Sequence, residues 1–322
     1  MYIIETDNLT KKYDGFTAVD KLNLKIEEGE IFGLLGPNGA GKTTTLLMLT
    51  TLVPPSSGSA KVAGLDIIKQ SGKVRKAIGI VFQDPSSDEL LTGYENLKLH
   101  GWLYDMPDDL KEKRMKEVLS LIELTDRKDD LVKKYSGGMR RRLELARGLL
   151  HHPKVLFLDE PTIGLDPQSR DRIWEYITEL AKKENITIII TTHYMEEADK
   201  LCDRIAIIDK GKIVALDTPE SLKKGLGGDI IRLKADNLDI NALKKLDHVT
   251  DVTQLDGEAC LTVTGASEHL QEILNAVGKV KSVEVHSPTL DDVFIHYTGK
   301  AIREGPAEGG WGDKVMHARS GR

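Results

Sequence analysis

The sequence predicts an α/β fold with a second, smaller α+β domain, and three patterns support this. A glycine-rich loop at residues 36–43 lies between a short apolar strand and a helix. A second apolar strand, Val155–Leu158, is followed directly by two carboxylates, Asp159 and Glu160. Apolar strands of this kind belong in the middle of a parallel sheet, and ligands bind where such strands end. After residue 228 the pattern becomes β-α-β-β-α-β, which is typical of a ferredoxin-like domain.

The composition is that of a globular protein with two domains. Of the 322 residues, 40% are hydrophobic and 30% are charged, which allows a sizeable core. The net charge of -6 argues against a general nucleic-acid binder. The longest apolar runs have the length of a strand, the first residues lack a signal-peptide pattern, and the two cysteines, Cys202 and Cys260, are isolated. We therefore expect a protein of the reducing cytosol, in which any membrane role depends on a separate partner chain.

The glycine-rich loop fits the pattern G-x-x-x-x-G-K-[ST], which binds nucleotide phosphates when it follows a strand and precedes a helix. Ile31–Leu35 is the predicted strand and Thr44–Thr51 the predicted helix. Backbone N–H groups of the loop are expected to point at phosphate oxygens, with Lys42 near the β- and γ-phosphates and the Thr43 hydroxyl on Mg²⁺. The nucleotide-binding residues of this segment are Gly36, Pro37, Asn38, Gly39, Ala40, Gly41, Lys42, Thr43 and Thr44.

Alternating apolar positions in residues 2–9 and 18–34 predict strands that lead into this loop. Tyr13 stands just before the turn signal Asp14-Gly15. Two interpretations of Tyr13 are open: its ring stacks on an adenine base, or it is a partly exposed residue at a strand end. Taken alone, its position favours the second interpretation.

Residues 58–67 and 76–82 are each predicted to form a strand. Gln83 follows the second of them, where its amide can reach Mg²⁺ or an attacking water. From about residue 86 to residue 150 the composition is helical and charged. This insertion predicts a helical subdomain that moves relative to the core.

Ser136, Gly137 and Gly138 stand at the start of a predicted helix and form a second backbone site for an anion. Three arginines follow at positions 140–142. They indicate either a nucleic-acid patch or a solvated helix face paired with acidic side chains, and we favour the solvated face.

The two carboxylates after Leu158 suit two different tasks. Asp159 is predicted to contact Mg²⁺ through water, and Glu160 to polarise the attacking water as a general base. The alternative is a pair of surface acids at a strand end. Asp166 lies in the loop that follows, and the next buried strand, Ile186–Thr192, ends at His193. Two interpretations of His193 are open: it is an ordinary residue at a strand end, or it faces the γ-phosphate.

The segment Gly225–Gly228 indicates a domain boundary, so residues 1–226 and 229–298 are predicted to be separate domains. The second domain has predicted strands near 229–235, 249–255, 259–264 and 280–286, and predicted helices near 239–246 and 267–277. Glycine and charged residues dominate 299–322, which we expect to be a mobile tail unless Trp311 anchors it.

In this order the motifs resemble an ATP-binding-cassette (ABC) ATPase over residues 2 to about 226. The resemblance assigns the Walker A loop to Gly36–Thr44, the Q-loop to Gln83, the signature to Ser136, Gly137 and Gly138, the Walker B pair to Asp159 and Glu160, the D-loop acid to Asp166, the switch histidine to His193 and the adenine-stacking aromatic to Tyr13. The usual signature is Leu-Ser-Gly-Gly-Gln, and Tyr135 and Met139 replace its ends here. The implied fold is a P-loop NTPase with a mixed sheet core, an antiparallel β subdomain and a helical subdomain.

Residues 88–97, 135–143 and 288–294 are similar to the daunorubicin-resistance type of drug-exporter ATPase. That similarity implies a subunit that binds ATP and Mg²⁺ at the cytoplasmic face of the membrane, pairs with a separate transmembrane permease and energises export of a drug-like or lipophilic compound. A second cassette, expected to be a copy of the same chain, completes two ATP sites, and nucleic acid is not an expected partner. An importer subunit and a soluble, non-transport ABC ATPase remain the alternatives.

Overall fold

The computed structural model describes residues 1–235, 238–255, 258–277 and 279–299. Trp311 and the rest of the predicted tail beyond Gly299 lie outside the described residues. The chain divides into two compact units, the first ending at Ile213 and the second beginning at Val214. The predicted boundary, the glycine-rich segment at residues 225–228, lies after this division in the sequence. That residues 1–226 form an independent domain stays a prediction.

Within the described residues, the first unit is built on two sheets. Its strands are β1 (Tyr2–Tyr13), β2 (Phe16–Glu27), β3 (Ile31–Leu35), β4 (Ser57–Val62), β5 (Leu65–Asp66), β6 (Ile78–Val81), β7 (Val155–Asp159), β8 (Thr187–Thr192), β9 (Arg204–Asp209) and β10 (Lys212–Asp217), which begins at the end of the unit. The antiparallel sheet has the order β2-β1-β4-β5, and the larger sheet has the order β10-β9-β3-β8-β7-β6. From β9 to β6 every neighbouring pair in the larger sheet is parallel.

The core of the first unit lies around the centre of the larger sheet. Every residue of β3, β7 and β8 is buried, as expected for apolar strands covered on both faces. The helices of this unit are α1 (Lys42–Leu49), α2 (Ser71–Ala77), α3 (Gly93–Leu103), α4 (Asp108–Leu121), α5 (Gly137–Leu149), α6 (Pro167–Glu184) and α7 (Met195–Leu201). None of the described helices has the length and apolar character needed to span a membrane.

The helical insertion consists of α3, α4 and α5 with two short 3₁₀ helices, Thr125–Arg127 and Val132–Lys134. Helix α3 begins at Gly93, because Thr92 accepts a hydrogen bond from the Glu95 N–H and the Glu95 carboxylate accepts one from the Thr92 N–H. Such a capping box satisfies backbone donors that the first helical turn leaves unpaired.

Two strand predictions were wrong in detail. Residues 58–67 form the hairpin of β4 and β5, since Ala63 (φ 52°) and Gly64 (φ 74°) turn the chain with two consecutive positive φ angles. In the segment 76–82, Lys76 and Ala77 are the last two residues of helix α2, and β6 consists of only the four residues that follow.

The second unit contains the β-α-β-β-α-β pattern at the predicted positions. Its elements are α8 (Pro219–Lys224), β11 (Asp229–Ala235), α9 (Ile240–Leu243), β12 (Val249–Leu255), β13 (Glu258–Val263), α10 (Ala266–Val277), β14 (Val280–His286) and α11 (Leu290–Thr298). The sheet order is β12-β13-β11-β14, with all neighbours antiparallel. Ile231 and Leu261 of the sheet pack with Leu243 of α9 and Ile273 of α10 in one hydrophobic core. This arrangement is the ferredoxin-like one that the sequence predicts.

Candidate functional site

The loop between β3 and α1 requires glycine at two positions. A Cβ atom on Gly36 would lie 2.3 Å from the Ile208 carbonyl oxygen, and one on Gly41 would lie 2.5 Å from the Ala18 carbonyl oxygen. Gly41 also has φ 106°, which L side chains rarely adopt. The close approach of these backbones explains why the pattern places glycine at both ends of the loop.

Lys42 extends along the loop rather than into solvent. Its Nζ donates hydrogen bonds to the carbonyl oxygens of Gly36 (2.8 Å) and Pro37 (3.1 Å), and it lies 3.6 Å from Glu160 Oε1. Lys42 is only 4% exposed. A buried ammonium group at the start of a helix, beside backbone N–H groups, is an arrangement that favours phosphate.

The Asp159 carboxylate lies at the same edge of the sheet. Thr43 Oγ1 donates a hydrogen bond to Asp159 Oδ1 at 3.2 Å, and Thr191 Oγ1 donates to the same oxygen. Asp159 and Thr191 are register partners in the parallel pair of β7 and β8, which fixes this approach. A hydroxyl and a carboxylate are hard oxygen ligands of the kind that Mg²⁺ prefers, so the residues present fit this cation.

Glu160 is held in an unusual backbone conformation immediately after β7. Its φ is 46°, and its N–H donates hydrogen bonds to the backbone oxygen and the hydroxyl of Thr191, both at 3.1 Å. Glu160 Oε1 lies 3.2 Å from His193 Nδ1, and Glu160 is 8% exposed. The ends of β3, β7 and β8 thus bring together five of the predicted residues. These are Lys42, Thr43, Asp159, Glu160 and His193.

Tyr13 and Gln83 lie at the edges of this group. Tyr13 is the last residue of β1 and is half-buried. Burial raises the pKa of its phenol, and a hydrogen bond with the Thr44 side chain opposes that rise. The hydrogen bond places Tyr13 beside the helix that begins at the phosphate loop. Gln83 is half-buried and lies two residues after the end of β6.

The Ser-Gly-Gly motif contacts the Asp166 loop. Ser136 caps α5 and accepts a hydrogen bond from the Met139 N–H, whereas Asp166 caps α6 and accepts one from the Ser169 N–H at 3.0 Å. The hydrogen bonds with Ser169 lower the pKa of the Asp166 carboxyl. Gly138 and Ser169 lie close together, since a Cβ on Gly138 would be 3.3 Å from Ser169 Oγ. The starts of α5 and α6 therefore lie side by side and line a depression of about 270 Å³.

Comparisons with known proteins identify the family that this chain matches. Residues 19–163 match the family described as ABC transporter, and residues 218–298 match the one described as ATP-binding protein DrrA1-3-like, C-terminal domain. The chain is 38% identical over 313 residues to the linearmycin resistance ATP-binding protein LnrL of Bacillus subtilis (strain 168), which covers 94% of this chain and 100% of that protein. It belongs to the ABC transporter family.

Two further relatives extend the comparison. The daunorubicin resistance ATP-binding protein DrrA2 of Streptomyces coeruleorubidus is 42% identical over 308 residues, covering 92% of this chain and 95% of that protein. A dimeric post-hydrolysis structure of the ATP-binding cassette MJ0796, bound to ADP and Pi, matches with a TM-score of 0.60 and 28% identity, covering 67% of this chain and 98% of that one. As an ABC cassette, the chain binds ATP and hydrolyses it.

Sequence reasoning missed one buried residue of this ABC cassette, Arg141. Arg141 is 6% exposed, and its guanidinium donates to three carbonyl oxygens, those of Phe82, Asp159 (3.2 Å) and Pro161. Burial lowers its pKa to about 10. The prediction of a solvated arginine face is therefore wrong at this position.

The neighbouring arginines differ from Arg141 in their surroundings. Arg140 forms an ion pair with Glu89 near the surface, and Arg142 donates to the Ile122 carbonyl oxygen. Arg141 shares a helix face with Leu145, four residues further along α5, and Leu145 is buried. The same spacing relates Arg142 to the buried Ala146, so helical periodicity indicates a partly buried helix start without distinguishing Arg141.

Proposed function

We propose that this chain energises export of a drug-like or lipophilic compound through a separate transmembrane permease. The observation that carries the proposal is the full-length similarity to resistance ATP-binding proteins, which includes the C-terminal domain. The names of two of these relatives concern linearmycin and daunorubicin, which motivates an amphiphilic drug-like cargo here. The cargo itself contacts the permease in this scheme, so the ATPase subunit does not select it.

The proposed chemistry follows from the contacts at the ends of β3, β7 and β8. Lys42 and the loop N–H groups bind the β- and γ-phosphates, and Thr43 with Asp159 holds Mg²⁺, which neutralises phosphate charge. Glu160 accepts a proton from the attacking water, and His193 orients Glu160 through its Nδ1 contact. Because phosphoryl transfer needs little covalent help, positioning and charge stabilisation account for most of the catalysis.

The remaining predicted residues act at the edges of the nucleotide. The Gln83 amide contacts Mg²⁺ or the attacking water, and the Tyr13 ring stacks on the adenine. In our proposal the active unit contains two copies of the chain, and Ser136, Gly137, Gly138 and Asp166 complete the ATP site of the partner. The supporting observation is that the Ser-Gly-Gly motif groups with the Asp166 loop in this chain, and that a similar cassette has a dimeric structure.

We place the assembly at the cytoplasmic face of the membrane, with the chain bound peripherally to its permease. Nucleic acid is not a proposed partner, because the chain carries a net charge of -6 and the arginines of α5 contact protein groups.

The experiment is ATP-driven transport in inside-out vesicles that contain the permease together with this chain. We expect accumulation of an amphiphilic drug when ATP and Mg²⁺ are supplied, and no accumulation with the Glu160→Gln chain as the matched control. Transport in the opposite direction would identify an importer. ATPase activity that never depends on a membrane fraction would identify a soluble factor, and either result would overturn the export proposal.

A further inference from the structure

Glu197 is a buried carboxylate to which the proposed chemistry gives no task. Its Oε1 accepts hydrogen bonds from Thr162 Oγ1 at 2.7 Å and from Trp174 Nε1 at 3.0 Å. Glu197 and Thr162 are fully buried, and Glu197 Oε2 has no hydrogen-bond partner among the described residues. Burying a carboxylate is costly, and here two donors on a single oxygen compensate the lost hydration. Loss of either hydrogen bond should therefore alter the position of the segment that donates it.

The hydrogen bond between Thr162 and Glu197 joins the segments that leave two neighbouring strands. Thr162 lies two residues after Glu160, in the loop that follows β7. Glu197 lies in the first turn of α7, four residues after His193, which directly follows β8. The parallel pairing of β7 and β8 fixes their register only up to the strand ends. Beyond those ends, this hydrogen bond connects the loop of Glu160 to the helix that follows His193.

The loop that contains Glu160 is held from two helices. Arg141 of α5 donates to the Pro161 carbonyl oxygen, and Glu197 of α7 accepts from Thr162, which is the next residue. Burial lowers the pKa of Arg141 to about 10, and nearby carboxylates, Glu197 among them, oppose that fall. A buried cation and a buried carboxylate therefore flank the two residues that follow Glu160.

The contact between Glu160 and His193 is sensitive to the position of these segments. Glu160 Oε1 lies 3.2 Å from His193 Nδ1, which is at the long end of the range for a hydrogen bond. A displacement of about 1 Å in either segment would break this contact, and misplacements of that size can lower turnover roughly a hundredfold. The hydrogen bond that joins the two segments therefore bears directly on turnover.

We propose that Glu197 is a positioning residue for ATP hydrolysis. Through its hydrogen bond with Thr162, it holds Glu160 and His193 in contact. The inference rests on the proposed roles of Glu160 as base and of His193 as the group that orients it. Glu197 acts through Thr162 and not on the nucleotide. Its loss should therefore lower turnover and leave ATP affinity nearly unchanged.

Two substitutions of Thr162 separate the hydrogen bond from packing. Thr162→Val keeps the shape of the side chain and removes the donor, whereas Thr162→Ser keeps the hydroxyl and removes a methyl group. In the full chain, Thr162→Val should lower turnover on the order of tenfold or more and keep ATP affinity within about threefold, whereas Thr162→Ser should keep most of the turnover. Steady-state phosphate release and fluorescent-ATP titration measure the two quantities. A packing role alone predicts the reverse order, with Thr162→Ser as the more damaged variant, and that result would overturn the proposal.

Thr6→Val is the matched control, because Thr6 is also a buried threonine, and its hydroxyl donates at 2.8 Å to the Leu22 carbonyl oxygen in the antiparallel sheet. It should lower the free energy of unfolding and leave the turnover per folded chain unchanged. Adding Thr162→Val to Glu197→Ala should lower turnover little further than Glu197→Ala alone, because both changes remove the same hydrogen bond. An equal further loss, or a loss in Thr162→Val no larger than in Thr6→Val, would overturn the proposal. The Thr162 pair decides the question even if Glu197→Ala does not fold.

Glu160→Gln, measured alongside, distinguishes this inference from the proposed chemistry. Near-normal turnover in Glu160→Gln would overturn that chemistry and this inference with it. An inactive Glu160→Gln chain together with a fully active Thr162→Val chain would overturn only the role of Glu197.

Discussion

Glu160 is the residue on which the proposed chemistry depends most directly. Its left-handed φ of 46° is a strained conformation for a side chain with a Cβ, and it persists because Thr191 accepts both hydrogen bonds from the Glu160 N–H. Backbone strain of this kind costs about 1–3 kcal/mol and tends to occur at functional sites. The contacts with Lys42 and His193 direct the carboxylate toward the phosphate loop.

The substitution Glu160→Gln should preserve ATP binding and lower turnover by about a hundredfold or more, because an amide cannot accept the water proton. Steady-state phosphate release and fluorescent-ATP titration measure the two quantities separately. Glu184→Gln is a suitable control, since Glu184 pairs with Arg114 and His152 away from the loop. Near-normal turnover in Glu160→Gln would remove Glu160 from the role of base.

Arg141 is a positioning residue in this account. The change Arg141→Met removes the guanidinium hydrogen bonds to three carbonyl oxygens, and the loss of a buried hydrogen-bond donor costs about 1–3 kcal/mol. We expect a clear drop in the free energy of unfolding and at least about a tenfold fall in turnover, because the oxygens belong to residues beside Gln83 and Glu160. ATP affinity should change much less than turnover.

Arg141→Lys should recover part of the lost turnover, because a lysine retains the charge and one donor group. The control Arg140→Gln removes a surface ion pair and should shift stability by no more than about 0.5 kcal/mol. If Arg141→Met lowered stability and left turnover intact, Arg141 would have only a structural role.

Local sequence pattern is enough to propose residues of the candidate site, but it does not predict the contacts between them. The phosphate loop is contiguous, and Asp159 and Glu160 directly follow an apolar strand, so local pattern is enough to select them. The approach of His193 to Glu160 depends on β8 lying between β3 and β7, and strand order is not encoded locally. Arg141 was missed because a run of three arginines indicates a solvated helix face, and the three carbonyl oxygens that compensate its burial lie far from it in sequence.

At the scale of elements, α3 and the segment just after α5 meet in a half-buried aromatic cluster. The His151 ring stacks on Tyr104 with centroids 3.8 Å apart, and His100 lies 5.0 Å from Tyr104. Burial lowers the pKa of His100 to about 3 and that of His151 to about 4. Both imidazoles are therefore neutral in the folded protein at neutral pH.

Acidification should destabilise this packing. Below pH 6.5 the unfolded chain binds protons at His100 and His151 that the folded chain does not, so the free energy of unfolding falls as pH decreases. Each histidine contributes up to about 1.4 kcal/mol per pH unit in that window. Urea denaturation between pH 7.5 and 5 should show a shallower decline for His100→Phe than for the unmodified chain, with the surface substitution Arg140→Gln as a control that should decline as the unmodified chain does. Parallel declines in all three proteins would contradict the buried, neutral state of His100.

Strands with continuous apolar runs were predicted well, and the short helices were not. Strands β3, β7 and β8 have continuous apolar runs, whereas α2 and α7 are seven residues long and lack a long enough pattern to detect. The hairpin of β4 and β5 appeared as one strand because its turn, Ala63-Gly64, lacks the usual Asn or Asp before glycine. Such a turn becomes visible only when the positive φ angles are known.

At the scale of the whole molecule, a chain that ends at Gly227 should fold and bind ATP. The buried strands β3, β7 and β8 have their core within the first unit, and the ferredoxin-like core consists of residues from the second. Soluble expression, circular dichroism and ATP titration of residues 1–227 test this expectation, with the full chain as reference. Loss of both solubility and ATP binding would mean that the two domains depend on each other for folding.

The central claim is that two copies of this cassette act together, each completing the ATP site of the other with Ser136 and Gly138. Dilution empties such a dimer by mass action, so ATPase activity per chain should rise with protein concentration. The most direct test measures specific ATPase activity across a dilution series, alongside sedimentation that reports the fraction of dimer. We predict that the two quantities rise together. Constant specific activity down to concentrations at which sedimentation detects only monomer would contradict the claim.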